Sequence, residues 1–198
     1  MATAFRPKAG RVRGRLNAQE LDVVVHMLRS VRDFVAPEQE ATGDPLQDLM
    51  AGLGGSDDAR QPPQDPALLR LLPVAHRDDE AHAQEFRALT EHSVRQHKTS
   101  NLDTAIEALT AQGSGTIELD QRQAGALMIG LTDVRLVLGE RLQLRTDEDT
   151  EAMHEQIHAA AFGEHSQESS EPDRLQQMAL YDFLTWLQES LAISLLGD

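Results

Sequence analysis

The sequence predicts a compact, mainly α-helical domain with a minor two-stranded β-ribbon. Two short segments, near 11–16 and 115–119, alternate in character, and each is followed by a capping residue and an apolar run at helical spacing. The last 25 or so residues are apolar around most of a helix circumference, which suits a central helix or one shared with a second copy.

The strand near 11–16 is read from Arg11, Val12, Arg13, Gly14, Arg15 and Leu16, the period of a half-exposed strand. Asn17 with Glu20 forms a capping box, and Leu21, Val24, Val25, Leu28, Val31 and Val35 then follow at helical spacing up to Pro37. Asp44-Pro45 and Asp65-Pro66 each place a capping carboxylate before a first-turn proline, opening short helices through Met50 and Leu72. Residues 52–64 read as a flexible surface loop. A helix from Asp78 or Asp79 is expected to point Phe86, Leu89 and Val94 inward and to break near Thr99. A further helix carries Leu102, Ile106 and Leu109 and stops at Gly113.

The strand near 115–119 precedes Asp120 and Gln123, a second capping arrangement, and a helix presenting Leu127, Met128, Leu131, Val134, Leu138 and Leu142. This unit repeats the first at an offset of 103 residues, matching Leu16 with Leu119, Asn17 with Asp120, Leu28 with Leu131 and Arg32 with Arg135. A diverged duplication and the general likeness of capped helices after strands both account for these matches. Either way the two strands are expected to pair, with arginines facing Glu118 and Asp120. Residues 146–173 form an acidic insertion with at most one helix, and the final helix starts near Pro172.

The 198 residues are 40% apolar and 26% charged, enough for a core in a single domain spanning 1–198. With no cysteine, disulfides, thiolate zinc sites, a cysteine nucleophile and a redox switch on this chain are excluded. No apolar run approaches the ~20 residues that span a bilayer, and the N-terminus lacks the apolar stretch of a secretory signal, so a cytoplasmic protein without membrane attachment is expected. The formal charge of −15 is uneven: residues 1–32 hold seven arginines or lysines against two acids, a net +5, leaving −20 for the rest. From Thr146 to Asp173 there are nine acids and no lysine or arginine. Such a body repels nucleic acid unless a basic face is segregated from it, and the N-terminal segment is the only candidate for one.

Several stretches together resemble a known family: DPLQDLMAGL (44–53), PQDPALLRLLP (63–73), EFRALTEHSVRQHKTSNLDTAIEAL (85–109), LTDVRLVLGERLQL (131–144) and YDFLTWLQESLAISLL (181–196). Their order and spacing are similar to an actinobacterial family of unknown function, DUF2017, which includes an oxidative stress regulator. The resemblance implies a mostly helical cytoplasmic protein without established enzymatic activity. Its regulator branch is associated with a sensing cysteine pair and with an alternative sigma factor. This chain has no cysteine to match that pair, so thiol sensing is not carried over.

One motif points to different chemistry. His154, Glu155 and His158 form H-E-x-x-H, in which histidines one helical turn apart share a zinc ion and the glutamate activates the bound water. The extended form of the motif puts glycine three and histidine six residues after the second histidine. This chain has Ala161 and Glu164 there. Met153 and Ile157 make a narrow apolar stripe, and Glu155 falls about 200° around the helix from Met153, toward solvent. A solvated helix is the expectation, with no cofactor and no catalytic residue. Zinc-dependent hydrolysis by His154, Glu155 and His158 is the alternative.

The functional expectation is therefore a non-enzymatic regulatory protein acting through protein contacts with a sigma factor or another regulatory protein, and forming a homodimer. Arg11, Arg13, Arg15, Tyr181 and Trp186 are the candidate interaction residues. Nucleic acid is not the expected partner, because no aromatic residue is interleaved with the basic ones.

Overall fold

The computed structural model describes residues 2–37, 63–72, 80–162 and 172–197. The helix expected after Asp44-Pro45, nearly all of the 52–64 loop and residues 163–171 lie outside them. The described residues form strands β1 (Thr3–Lys8), β2 (Arg11–Leu16) and β3 (Gly115–Leu119) and helices α1 (Ala18–Val35), α2 (Pro66–Leu71), α3 (Glu80–Gln112), α4 (Gln121–Leu142), α5 (Asp147–Phe162) and α6 (Pro172–Leu196). The expected mainly helical class is what the chain adopts.

The ribbon has three strands instead of two, in the antiparallel order β1-β2-β3. β1 joins β2 through Ala9 and Gly10, both at positive φ (52° and 73°), the backbone of a two-residue hairpin turn. Sequence reading missed β1 because Phe5 is its only buried residue, and because Pro7 is tolerated only on an edge strand. Gly14 is required in β2: a Cβ there would lie 2.6 Å from the Phe5 ring, which covers that stretch of strand.

β2 and β3 pair as expected, with Arg13 opposite Glu118 and the two joined in an ion pair. The register matches Val12 with Leu119, Gly14 with Ile117 and Leu16 with Gly115. Adding 103 to the first residue of each pair, and subtracting it from the second, returns another pair of the same ladder. The strands therefore meet with local twofold symmetry centred on Gly14 and Ile117. The caps that follow share one geometry: Asn17 (φ −73°, ψ 175°) accepts from Glu20 N, Asp120 (φ −73°, ψ 172°) accepts from Gln123 N, and both capping boxes close. Among the described residues β1 has no counterpart beside β3, where α3 lies instead.

Val24, Leu28 and Val31 of α1, Leu102, Ala105 and Leu109 of α3, Leu127, Leu131 and Val134 of α4 and Leu184, Leu187 and Leu191 of α6 fill the core under the inner sheet face. The expected break near Thr99 is absent, and α3 runs for 33 residues. The Thr99 hydroxyl donates to Arg95 O (3.0 Å) and Gln96 O (2.9 Å), so this cap-forming side chain is satisfied inside the helix. Phe86 and Leu89 also turn outward, 47% and 75% exposed. The inward stripe of that half is charged: Glu91 bridges Arg87 (3.4 Å) and Arg95 (2.7 Å), and Arg95 Nη1 caps α1 at Val35 O (3.2 Å) and Ala36 O (3.4 Å).

The acidic stretch holds one helix among the described residues, α5, anchored by a small cluster of Met153, Leu142 and Met178 with Ile157 and Leu175 around it. Its start is fixed by Thr146 and Asp149, whose carboxylate accepts from the backbone N–H groups of Arg145 and Thr146, both at 2.9 Å.

Candidate functional site

Both edges of the sheet are closed by side chains. On β1, the Phe5 backbone N–H donates to Ser190 Oγ of α6 (3.1 Å). On β3, the Gln112 amide donates to Glu118 O (2.8 Å) and accepts from Glu118 N (2.7 Å). An edge answered in this way is not free to take up a further strand there, which leaves the outer sheet face and the exposed helix faces as contact surfaces.

The outer face is basic. Val12, Gly14 and Leu16 point into the core, so Arg11, Arg13 and Arg15 point out, and the β1–β2 register sets Arg6 opposite Arg13 and Lys8 opposite Arg11. Arg13 is held by Glu118. Arg6, Lys8, Arg11 and Arg15 are exposed.

Beside this face lies α6. Ser190 is buried against β1, Ser194 is buried one turn on with its hydroxyl donating to Ser190 O, and Leu184, Leu187 and Leu191 are fully buried. Trp186 and Ile193 sit one turn on either side of Ser190, about 50° around the helix on the side away from Leu187. They are 39% and 71% exposed, and half-buried Phe183 stacks on Trp186 with centroids 6.0 Å apart. An apolar strip therefore runs along the β1 edge of the sheet.

Tyr181, the other aromatic singled out in the sequence, is engaged inside the molecule. The Arg135 guanidinium lies over its ring (5.3 Å), and Arg135 Nη1 donates to Gln188 Oε1 (2.7 Å), whose amide donates to Thr132 Oγ1 (2.6 Å). This network ties α4 to α6. Two basic residues of α3 are likewise turned into the fold: Arg95 caps α1, and Lys98 Nζ reaches buried Asp133 at 2.6 Å. Burial pushes the Asp133 carboxyl above the usual range, against the opposing pull of Lys98, and its Oδ2 has no partner.

His154, Glu155 and His158 lie on an exposed face of α5. His154 Nε2 is 3.1 Å from Asp182 Oδ1 of α6, a contact with no sequence signal. Among the described residues no group of three or more histidine, aspartate or glutamate side chains is placed to hold a metal ion. A recess of about 320 Å³ between the end of α4 and the start of α6 is lined by Arg141, Leu142, Gln143, Asp173, Arg174 and Gln177. Its Arg141 is already bound to Asp65 at 2.5 Å and pulls that carboxyl below its usual range. Glu140 is likewise lowered, by Arg70 (2.8 Å) and Arg145 (2.9 Å). No helix among the described residues is long and apolar enough to cross a membrane.

No curated protein and no solved structure matches this chain. A family model does, over residues 2–195, a span that takes in all three strands and the α5 region. The chain belongs to that family, whose description is domain of unknown function (DUF2017).

Proposed function

We propose that this protein is a non-enzymatic regulator that works by binding another protein, with the α6 strip and the adjoining basic sheet as its contact surface. The observation that carries this reading is the stacked Phe183–Trp186 pair with Ile193, open on one side of a helix whose other side is core. Exposed aromatic and aliphatic side chains next to arginines are the composition of interaction hot spots. The resemblance to a family that includes a stress regulator supports a transcriptional or stress-response role, with a sigma factor or another regulatory protein as partner. Without cysteine, that role runs through contacts alone.

The test is quantitative capture with purified wild-type protein and a Trp186→Ser/Ile193→Ser variant, in extract of the native host. Circular dichroism checks that the variant keeps its fold, since Trp186 is 39% exposed and Ile193 71%. A partner retained by wild type and lost by the variant supports the reading, and equal retention overturns it. The exposed strip also suits an isologous contact between two copies, the homodimer expected from the apolar final helix. Sedimentation at micromolar concentration gives a dimer that the same variant dissociates; a strict monomer rejects that second reading.

A further inference from the structure

From the charge pattern on the sheet we infer that the partner segment is acidic and amphipathic, its carboxylates lying on the outer sheet face and its apolar side on the α6 strip. This rests on the protein-binding reading and names the chemistry of its partner. In the β1–β2 ladder Arg6 stands directly opposite Arg13, and Lys8 directly opposite Arg11. Like charges at opposed positions of a ladder repel. Among the described residues only Arg13 has an acid, Glu118. Among the described residues none supplies a carboxylate to Arg6, Lys8, Arg11 or Arg15, although the chain holds 33 acids and 18 bases. The repulsion is relieved when an anionic partner docks.

The geometry selects the kind of anion. Arg11, Arg13 and Arg15 recur every two residues, about 6.7 Å apart along the strand. Carboxylates one helical turn apart on a partner helix repeat at about 6 Å, which meets that row. Side-chain bonds at Phe5 and Glu118 interrupt both edges where an added strand would pair, which places the partner across the face. A single-stranded nucleic acid needs aromatic platforms for its bases, and Arg6, Lys8, Arg11, Arg13, Arg15, Thr116 and Glu118 include none. A long duplex would run beyond this small patch onto a chain of net −15, within a Debye length of about 8 Å. Trp186 and Ile193 alongside call for an apolar stripe, which an amphipathic protein segment has and a nucleic-acid backbone lacks.

Trp186 is the single tryptophan of the chain, so its fluorescence reports occupation of the strip. The probe is a helix-forming peptide of about 20 residues with leucines on one face and glutamates flanking them, a length that covers the patch. It is titrated into the full chain beside the same peptide carrying lysine for glutamate, a DNA duplex and phosphatidylserine vesicles. The expected result is a saturable blue shift with the acidic peptide. Arg11→Glu/Arg15→Glu weakens that binding at least tenfold with unchanged circular dichroism, and added salt weakens it through screening. Equal binding of the lysine peptide, with the same shift, overturns the acidic partner while leaving the α6 contact surface standing. Tighter binding of the duplex or the vesicles through the arginines, with Trp186 undisturbed by either peptide, overturns both.

Discussion

The side-chain amide of Gln112 pairs with both backbone groups of Glu118, at 2.8 and 2.7 Å, as a neighbouring strand would. The last turn of α3 thus stands in for a fourth strand. Gln112→Ala removes both bonds and should cost roughly 1–3 kcal/mol at 0.5–1.5 kcal/mol per net hydrogen bond. Gln112→Glu keeps the acceptor and loses the donor, so chemical denaturation places its stability between those of Gln112→Ala and wild type. An opened edge also predicts concentration-dependent association of the alanine variant in light scattering.

Phe5 and Gly14 form a second tight pair. Gly14→Ala drives a methyl group into the Phe5 ring and should destabilise by about 1–3 kcal/mol, the usual cost of overpacking. Combining it with Phe5→Leu makes room, so the double variant loses less than the sum of the two single ones.

The α5 helix is held by Met153 in a cluster separate from the main core. Met153→Ala should loosen α5 alone. Hydrogen exchange speeds up over 147–162, while the amides of α1 and α4 keep their protection.

Acid behaviour follows from opposed carboxyls. Asp65 and Glu140 have lowered values, so the stability they give is present above their unfolded pKa and is lost as pH falls through the folded one. Asp133 is raised: the stability linked to its protonated form is present below the unfolded pKa and is lost as pH rises through the folded one. Arg141→Gln, which frees Asp65, should lower stability at neutral pH and flatten the acid limb. Asp133→Asn, which keeps the side chain neutral at every pH, should steepen that limb by raising stability at neutral pH while leaving the acid end unchanged. Denaturation followed between about pH 3 and 7, which spans the reference carboxyl values, reads both.

For the H-E-x-x-H stretch, the expected outcome is a purified protein without stoichiometric zinc, whose melting temperature ignores a chelator. Zinc at one per chain that disappears with His158→Ala would instead establish the hydrolase alternative.

The sequence carried the parts of this structure that are local. Both capping boxes, the two paired strands and the meeting of the arginines with Glu118 followed from residues a few positions apart or from charge complementarity, while Asp120, also expected beside the arginines, caps α4 instead. What escaped it depended on distant partners. β1 is an edge strand whose single buried side chain, Phe5, finds its place only over Gly14. The inward stripe of α3 between Arg87 and Arg95 is charged, so apolar periodicity picked Phe86 and Leu89, which face outward. Tyr181 and Trp186, five residues apart on α6, looked alike as candidate contacts. Only packing separates them, with Tyr181 under Arg135 and Trp186 open beside the sheet.

Photo-crosslinking in native-host extract tests the contact surface at one residue. With a benzophenone amino acid in place of Trp186 and, as control, in place of exposed Gln96 on α3, one discrete protein adduct is expected from position 186 and none from position 96. That adduct should disappear in the Arg11→Glu/Arg15→Glu background. Equal labelling from the two positions, or none from 186 in extract that contains every native partner, would contradict it.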